Sequence, residues 1–167
     1  VNWEILDVWR DAAAECGIPK IEEFNQGDNF GNAFFQMNQK SGKRWSAVRA
    51  FLDPIRSREN LTILTEATVE RVKLETTNAG ARARGVIVNE KGKIRSIEAD
   101  TEVILSAGAV ASPQLLQVSG VGPPDLLSSF AIKPLVNSPG VGKNLQDHLQ
   151  IRTIYEVKNT TTLNQKA

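Results

Sequence analysis

A single cysteine, Cys16, and a single histidine, His148, stand in a chain of 167 residues. One cysteine excludes an internal disulfide framework and every multi-cysteine metal or iron–sulfur site. One histidine excludes a His–His metal pair and forces any imidazole chemistry through His148. In the Asn/Gly-rich loop Asp28 is a lone carboxylate, too few hard ligands for calcium. Long hydrophobic runs are missing. Nothing approaches the ~20 apolar residues of a membrane span, and the N-terminus carries no basic-then-apolar signal pattern. A cytoplasmic location is the expectation, with peripheral attachment to a membrane as the alternative. Charge of one sign is missing too. Twenty basic against nineteen acidic side chains leave a formal +1, so nucleic acid is not an expected partner.

What is present is ordinary globular material. Hydrophobic residues make up 41% and charged residues 23%, in a length that suits one compact domain. The chain opens with Val1 just before a helical pattern and stops at Ala167 inside a polar run, which reads as a piece of a larger protein.

Residues 3–16 carry Ile5, Val8, Trp9, Ala12 and Ala13 on one helical stripe, with Asn2 as cap and Gly17 and Pro19 as the stop. Cys16 falls in the last turn, as a small buried residue. Residues 20–43 read as a long ordered loop with a short strand near Phe34–Asn38. A short helix over Trp45–Leu52 is expected to stop before Pro54. Four strand-like runs follow: Leu61–Thr65, Thr68–Leu74, Gly85–Val88 and Ile94–Ile97. By strict alternation Val72 and Leu74 share one face and Val69 takes the other. Lys91-Gly92-Lys93 is a hairpin tip, its basic charges solvated. Val103-Ile104-Leu105 is apolar on both parities, as in a strand covered on two sides. A short helix is expected over Leu126–Phe130, and Leu149–Val157 alternates as a clear strand.

The junction after Leu105 has chemical content. A buried strand passes through the small-residue turn Ser106-Ala107-Gly108-Ala109 to a helix that Ser112-Pro113 is expected to open. Small side chains let a ligand approach the backbone, and a helix start offers unpaired N–H groups. That is a seat for an anionic or polar cofactor; a tightly packed strand–helix junction is the plain alternative. The two Gly-Val-Gly triplets, at 120–122 and 140–142, lack a third glycine and a following helix, and read as turns.

Gly108-Ala109-Val110-Ala111-Ser112-Pro113-Gln114-Leu115-Leu116-Gln117-Val118-Ser119-Gly120-Val121-Gly122 resembles the second signature of the glucose–methanol–choline (GMC) family of FAD-dependent oxidoreductases. Three more stretches are similar to the same family in the same order. They are Gly42–Ala47 with Phe51-Leu52, Asn60–Thr65 with Val69, and Gly140–His148. The choline-dehydrogenase-like and alcohol-dehydrogenase-like branches are nearest.

The resemblance implies a mixed α/β fold, the internal part of an FAD/NAD(P)-binding-type domain. Residues 1–39 would border the substrate domain, 40–143 would be a slice of the FAD-binding domain, and 144–167 would hold a linker and the first substrate-domain strand. It implies FAD as cofactor, with Val69 meeting adenine through its backbone and Ser106, Ala107 and Gly108 passing close to the flavin. The implied reaction moves hydride from an alcohol carbon to flavin N5. The family's catalytic histidine lies in a C-terminal motif that this sequence does not contain, so no residue here is assigned a catalytic role. His148 and Asp147 are expected to act by packing, hydrogen bonding or capping. The glycine fingerprint that holds the pyrophosphate is also not in this sequence. The implied partners are a small alcohol and the remaining segments of the parent chain. Two other readings stand beside this one: a non-catalytic scaffold built on the same fold, and a family member with cyanohydrin-lyase chemistry.

Overall fold

The computed structural model describes residues 3–78 and 80–162, so the expected cap Asn2 lies outside the described residues. Helices and strands alternate along the chain, the mixed α/β composition expected. The residues cluster into two compact units, Val1–Leu61 with Ile151–Ala167, and Thr62–Gln150.

In the first unit, helix α1 spans Glu4–Glu15 and carries Glu4 and Asp7 in its first turn, where the positive end of the helix dipole favours them. It ends at Gly17, whose φ of 86° is the left-handed stop that glycine adopts without strain. No residue of α1 is buried: Ile5 and Ala13 of its apolar stripe are half-buried, while Val8 and Trp9 are exposed. Cys16 is exposed, against its expected burial.

The loop after α1 is tied down by one side chain. Asn32, 4% exposed, donates through Nδ2 to the Ile18 carbonyl at 2.8 Å and accepts from Arg10 Nε at 3.1 Å. Arg10 also donates to the Ile21 carbonyl and stacks over Phe34, 4.7 Å from the ring centre. The strand expected at Phe34–Asn38 does not form. Strands β1 (Gln39–Lys40) and β2 (Lys43–Arg44) pair just downstream instead. Their two-residue turn, Ser41-Gly42, holds φ of 52° and 69°, the mirror-image turn whose twist matches a hairpin. The next helical segment ends at Leu52, before Pro54, as expected. A π-helical turn at Val48–Leu52 leads into a 3-10 turn, Asp53–Ile55, that takes Pro54 at its start, where no N–H is needed.

The second unit is organised by an antiparallel meander of β3 (Ala67–Thr77), β4 (Gly80–Glu90) and β5 (Lys93–Glu98), in that order. Leu61–Thr65 does not join it as a strand. Val69 pairs with Val88 and Val72 with Val86, with a register shift between Val69 and Arg71. Residues facing one another across a ladder share a face, and Val86 and Val88 lie two apart. The bulge therefore turns Val69 onto the same face as Val72, correcting the simple alternation. Val72 and Val88, at 7% and 2% exposure, anchor that face.

Helix α2 (Gly108–Val118) packs against β3. Beyond it, β6 (Val121–Gly122), α3 (Pro124–Ser129) and β7 (Val136–Asn137) form a small parallel crossover, with Leu127 of α3 1% exposed beneath it. The first Gly-Val-Gly is thus a turn running into a strand, with Gly120 at φ 89°.

Two expected strands are extended but unpaired. Val103–Leu105 makes no ladder and Ile104 is 76% exposed; Leu149–Val157 makes none either, and Ile154 is 95% exposed. Both carry strand sequences, yet a strand exists only through partners, and none stands beside them among the described residues. Both are uncovered apolar surfaces.

Candidate cofactor cleft

Between the edge strand β3 and helix α2 lies a cleft of about 570 Å3. Thr68, Val69 and Glu70 form one wall, Ala111, Gln114, Leu115 and Val118 the opposite one, and 103–107 close the end. The bulge places Val69 there: without it Val69 would lie on the face opposite to Val72.

The closing segment departs from expectation in one respect. Helix α2 begins at Gly108, four residues before Ser112, so Pro113 sits inside the helix rather than at its first position. Ser112 Oγ instead reaches back and accepts the Ala107 N–H at 3.0 Å. Pro113 has no N–H to return to the Ala109 carbonyl, which loosens the first turn and leaves it to be held by that serine. Gly108 adopts φ 89° in open space, with nothing within 4 Å of the place a Cβ would occupy. Glycine is required there by the backbone angle.

Of the residues singled out from sequence, Val69, Ser106 and Ala107 line this one cleft, and Gly108 adjoins it at the head of α2. Glu70, Gln114 and the apolar side of α2 were not singled out. Their signal was legible: Ala111, Gln114, Leu115 and Val118 fall at i, i+3, i+4 and i+7, one helix face. Glu70 is held by Asn89 Nδ2 across the strands at 3.0 Å.

A second hollow, about 600 Å3, opens on β3, β4 and the 131–135 loop, with Arg71, Lys73 and Lys133 among its lining. Lys73 Nζ donates to Glu98 at 2.5 Å and Ser96 Oγ donates to it at 2.7 Å. These bonds, the lysine's first, hold the Glu98 carboxyl below the usual carboxylate range. The depressed carboxyl makes the pair's contribution present above the ordinary glutamate range and lost at a lower pH than for a free carboxyl. A third hollow, about 750 Å3, lies on the other side of α2 against 140–146, where Gln117 Nε2 donates to the Val141 carbonyl at 3.2 Å.

His148 lies outside all of these. It is exposed, and its backbone N–H donates to Asp147 Oδ1 at 2.8 Å. No group of three acidic, histidine or cysteine side chains is poised for a metal among the described residues. No helix of the described residues is long and apolar enough to cross a membrane.

The profile of the family described as GMC oxidoreductase matches residues 2–150. The chain belongs to the GMC oxidoreductase family. It is 42% identical over 164 residues to the oxygen-dependent choline dehydrogenase 1 of Chromohalobacter salexigens, covering 97% of this chain and 28% of that protein. Among solved GMC-like structures, pyridoxine 4-oxidase from Mesorbium loti superposes with a TM-score of 0.78 at 37% identity, over 87% of this chain and 28% of that one. An FAD-dependent oxidoreductase from Chaetomium thermophilum gives 0.79 at 29% identity, over 88% and 25%. The GMC chain described here thus spans little more than a quarter of the length of the relatives it matches.

Proposed function

We propose that this chain supplies one wall of the FAD site in a longer GMC flavoenzyme that oxidises the CH–OH group of a small, choline-like alcohol. The observation that carries the proposal is the convergence of Val69, Ser106 and Ala107 on a single cleft of about 570 Å3. The residues present fit the cofactor. The cleft walls are largely apolar and offer no metal ligand set, which suits a flat adenine ring, and Gly108 leaves open space beside the head of α2. Val69 would hold adenine against the edge of β3, with Leu115 and Val118 facing it from α2. Ser106, Ala107 and Gly108 would let the cofactor approach main chain, by being small rather than by side-chain chemistry.

FAD, when bound, supplies the acceptor for hydride leaving the alcohol carbon. This chain's residues bind and orient the cofactor and exclude water from one side of it; none is assigned the alcohol proton. Relatives and neighbours named as dehydrogenases and oxidases favour oxidation and disfavour the lyase reading. The remaining segments of the longer protein would complete the site, with 40–143 as the cofactor-binding slice and the flanking residues turned toward the substrate domain.

The 167 residues alone are expected to lose flavin on desalting and to leave choline and simple alcohols unoxidised. A yellow protein that keeps stoichiometric FAD through gel filtration would defeat this part of the proposal. The full-length protein, by contrast, should carry FAD and reduce it when choline-like alcohols are added anaerobically.

A further inference from the structure

Strand β3 is the edge of its sheet, so its outward backbone groups have no strand to bond. One of them, the Val72 N–H, donates to Ser119 Oγ at 2.8 Å in a buried bond. Ser119 is 6% exposed and sits immediately after α2. Its hydroxyl proton goes to the Leu115 carbonyl at 2.6 Å, one turn back. The single side chain therefore spans from α2 to β3, using both its donor and an acceptor site.

Leu115 and Val118 on α2 and Val69 on β3, three residues from Val72, are cleft-lining residues. A bond that fixes the end of α2 to Val72 fixes the distance between the two walls. We propose that Ser119 is a positioning residue that sets the width of the cleft and so its fit to the adenine half of the cofactor. This rests on the reading of the cleft as the FAD site. Ser119 touches no cofactor itself; it acts through β3 and α2. Gly120, which follows, is pressed against the Lys133 carbonyl, at 2.8 Å from a would-be Cβ, so the chain around Ser119 has little freedom to compensate by shifting.

The test uses the full-length protein, stripped of flavin and titrated with FAD and, separately, with FMN, which lacks the adenosine. Ser119→Ala leaves the Val72 N–H without its partner. FAD binding is expected to weaken roughly tenfold as the two walls lose their fixed spacing, while FMN binding stays within about twofold. Ser119→Thr keeps the hydroxyl and should restore FAD affinity. Should the alanine variant not accumulate, Ser119→Cys, close in volume but a poor acceptor, is expected to show the same selective loss. A merely structural serine would lower the melting temperature and leave both affinities of the folded protein unchanged, or would reduce both together; either result overturns the proposal. Filling the cleft directly with Val69→Trp separates the two claims. If that variant keeps FAD, the cleft is not the adenine site; if it loses FAD while Ser119→Ala does not, the cleft stands and the positioning role falls.

Discussion

Full-length protein carrying Val69→Trp should emerge from gel filtration without its flavin, its FAD affinity lowered by about a hundredfold or more, some 2.7 kcal/mol. The expectation comes from where the side chain points. Val69 is 39% exposed and that surface faces the cleft, so the larger indole enters the space proposed for adenine instead of the core. Tryptophan is well suited to a strand, and the β3–β4 ladder does not depend on the valine's volume. The far-ultraviolet circular dichroism and the melting temperature of the stripped protein should therefore match the parent. Val69→Ile, one methylene larger, should keep flavin. Retention of a full complement of FAD by the tryptophan variant would remove Val69 from the site.

The largest loss of stability is expected at a residue with no place in the chemistry. Gly85 sits in the central strand of the meander at φ 150°, and a Cβ there would collide with the Ile97 carbonyl oxygen and lie 2.9 Å from Glu98 Cα. Both obstacles are main chain of the paired strand β5, which cannot swing aside as a side chain could. Gly85→Ala should cost about 3–5 kcal/mol, combining steric overlap with an unfavourable backbone angle. Gly92→Ala, at the hairpin tip with φ 87° and open space, should cost only about 1–2 kcal/mol from its angle alone. Denaturant titrations of the two variants make the comparison. Equal stabilities would show that β5 is free to yield at Ile97.

The contrast between Thr68–Leu74 and Val103–Leu105 shows what periodicity can and cannot reveal. Both read as strands, but only the first has its partner, Gly80–Glu90, close in sequence. Alternation reports a residue's suitability for a ladder; it says nothing about whether the other strand is present. The same holds for Leu149–Val157. Bulges are hidden for a different reason. One extra residue at Glu70 reverses every parity upstream of it, and no local residue type marks the spot, so Val69 looked as if it faced away from Val72.

The candidate cleft left a readable trace in the sequence. Ser106, Ala107 and Gly108 announced themselves by their size after an apolar run, and the i, i+3, i+4, i+7 face of α2 was available to be read. Ser112-Pro113 looked like a helix opening because serine and proline are common there. The helix starts earlier because Gly108 supplies the positive φ that turns the chain into it. Ser119 carried no signal of its own. A serine at a helix end is ordinary, and only the free edge of β3, a property of tertiary structure, gives its hydroxyl a task.

Ile104 and its neighbours also bear on how such a polypeptide comes into being. A naked, doubly apolar segment, if it leaves the ribosome before or without its flanking strands, is a template for pairing with another nascent copy. Expressed by themselves, these residues should accordingly partition partly into inclusion bodies, and the soluble remainder should elute from gel filtration as self-associated species.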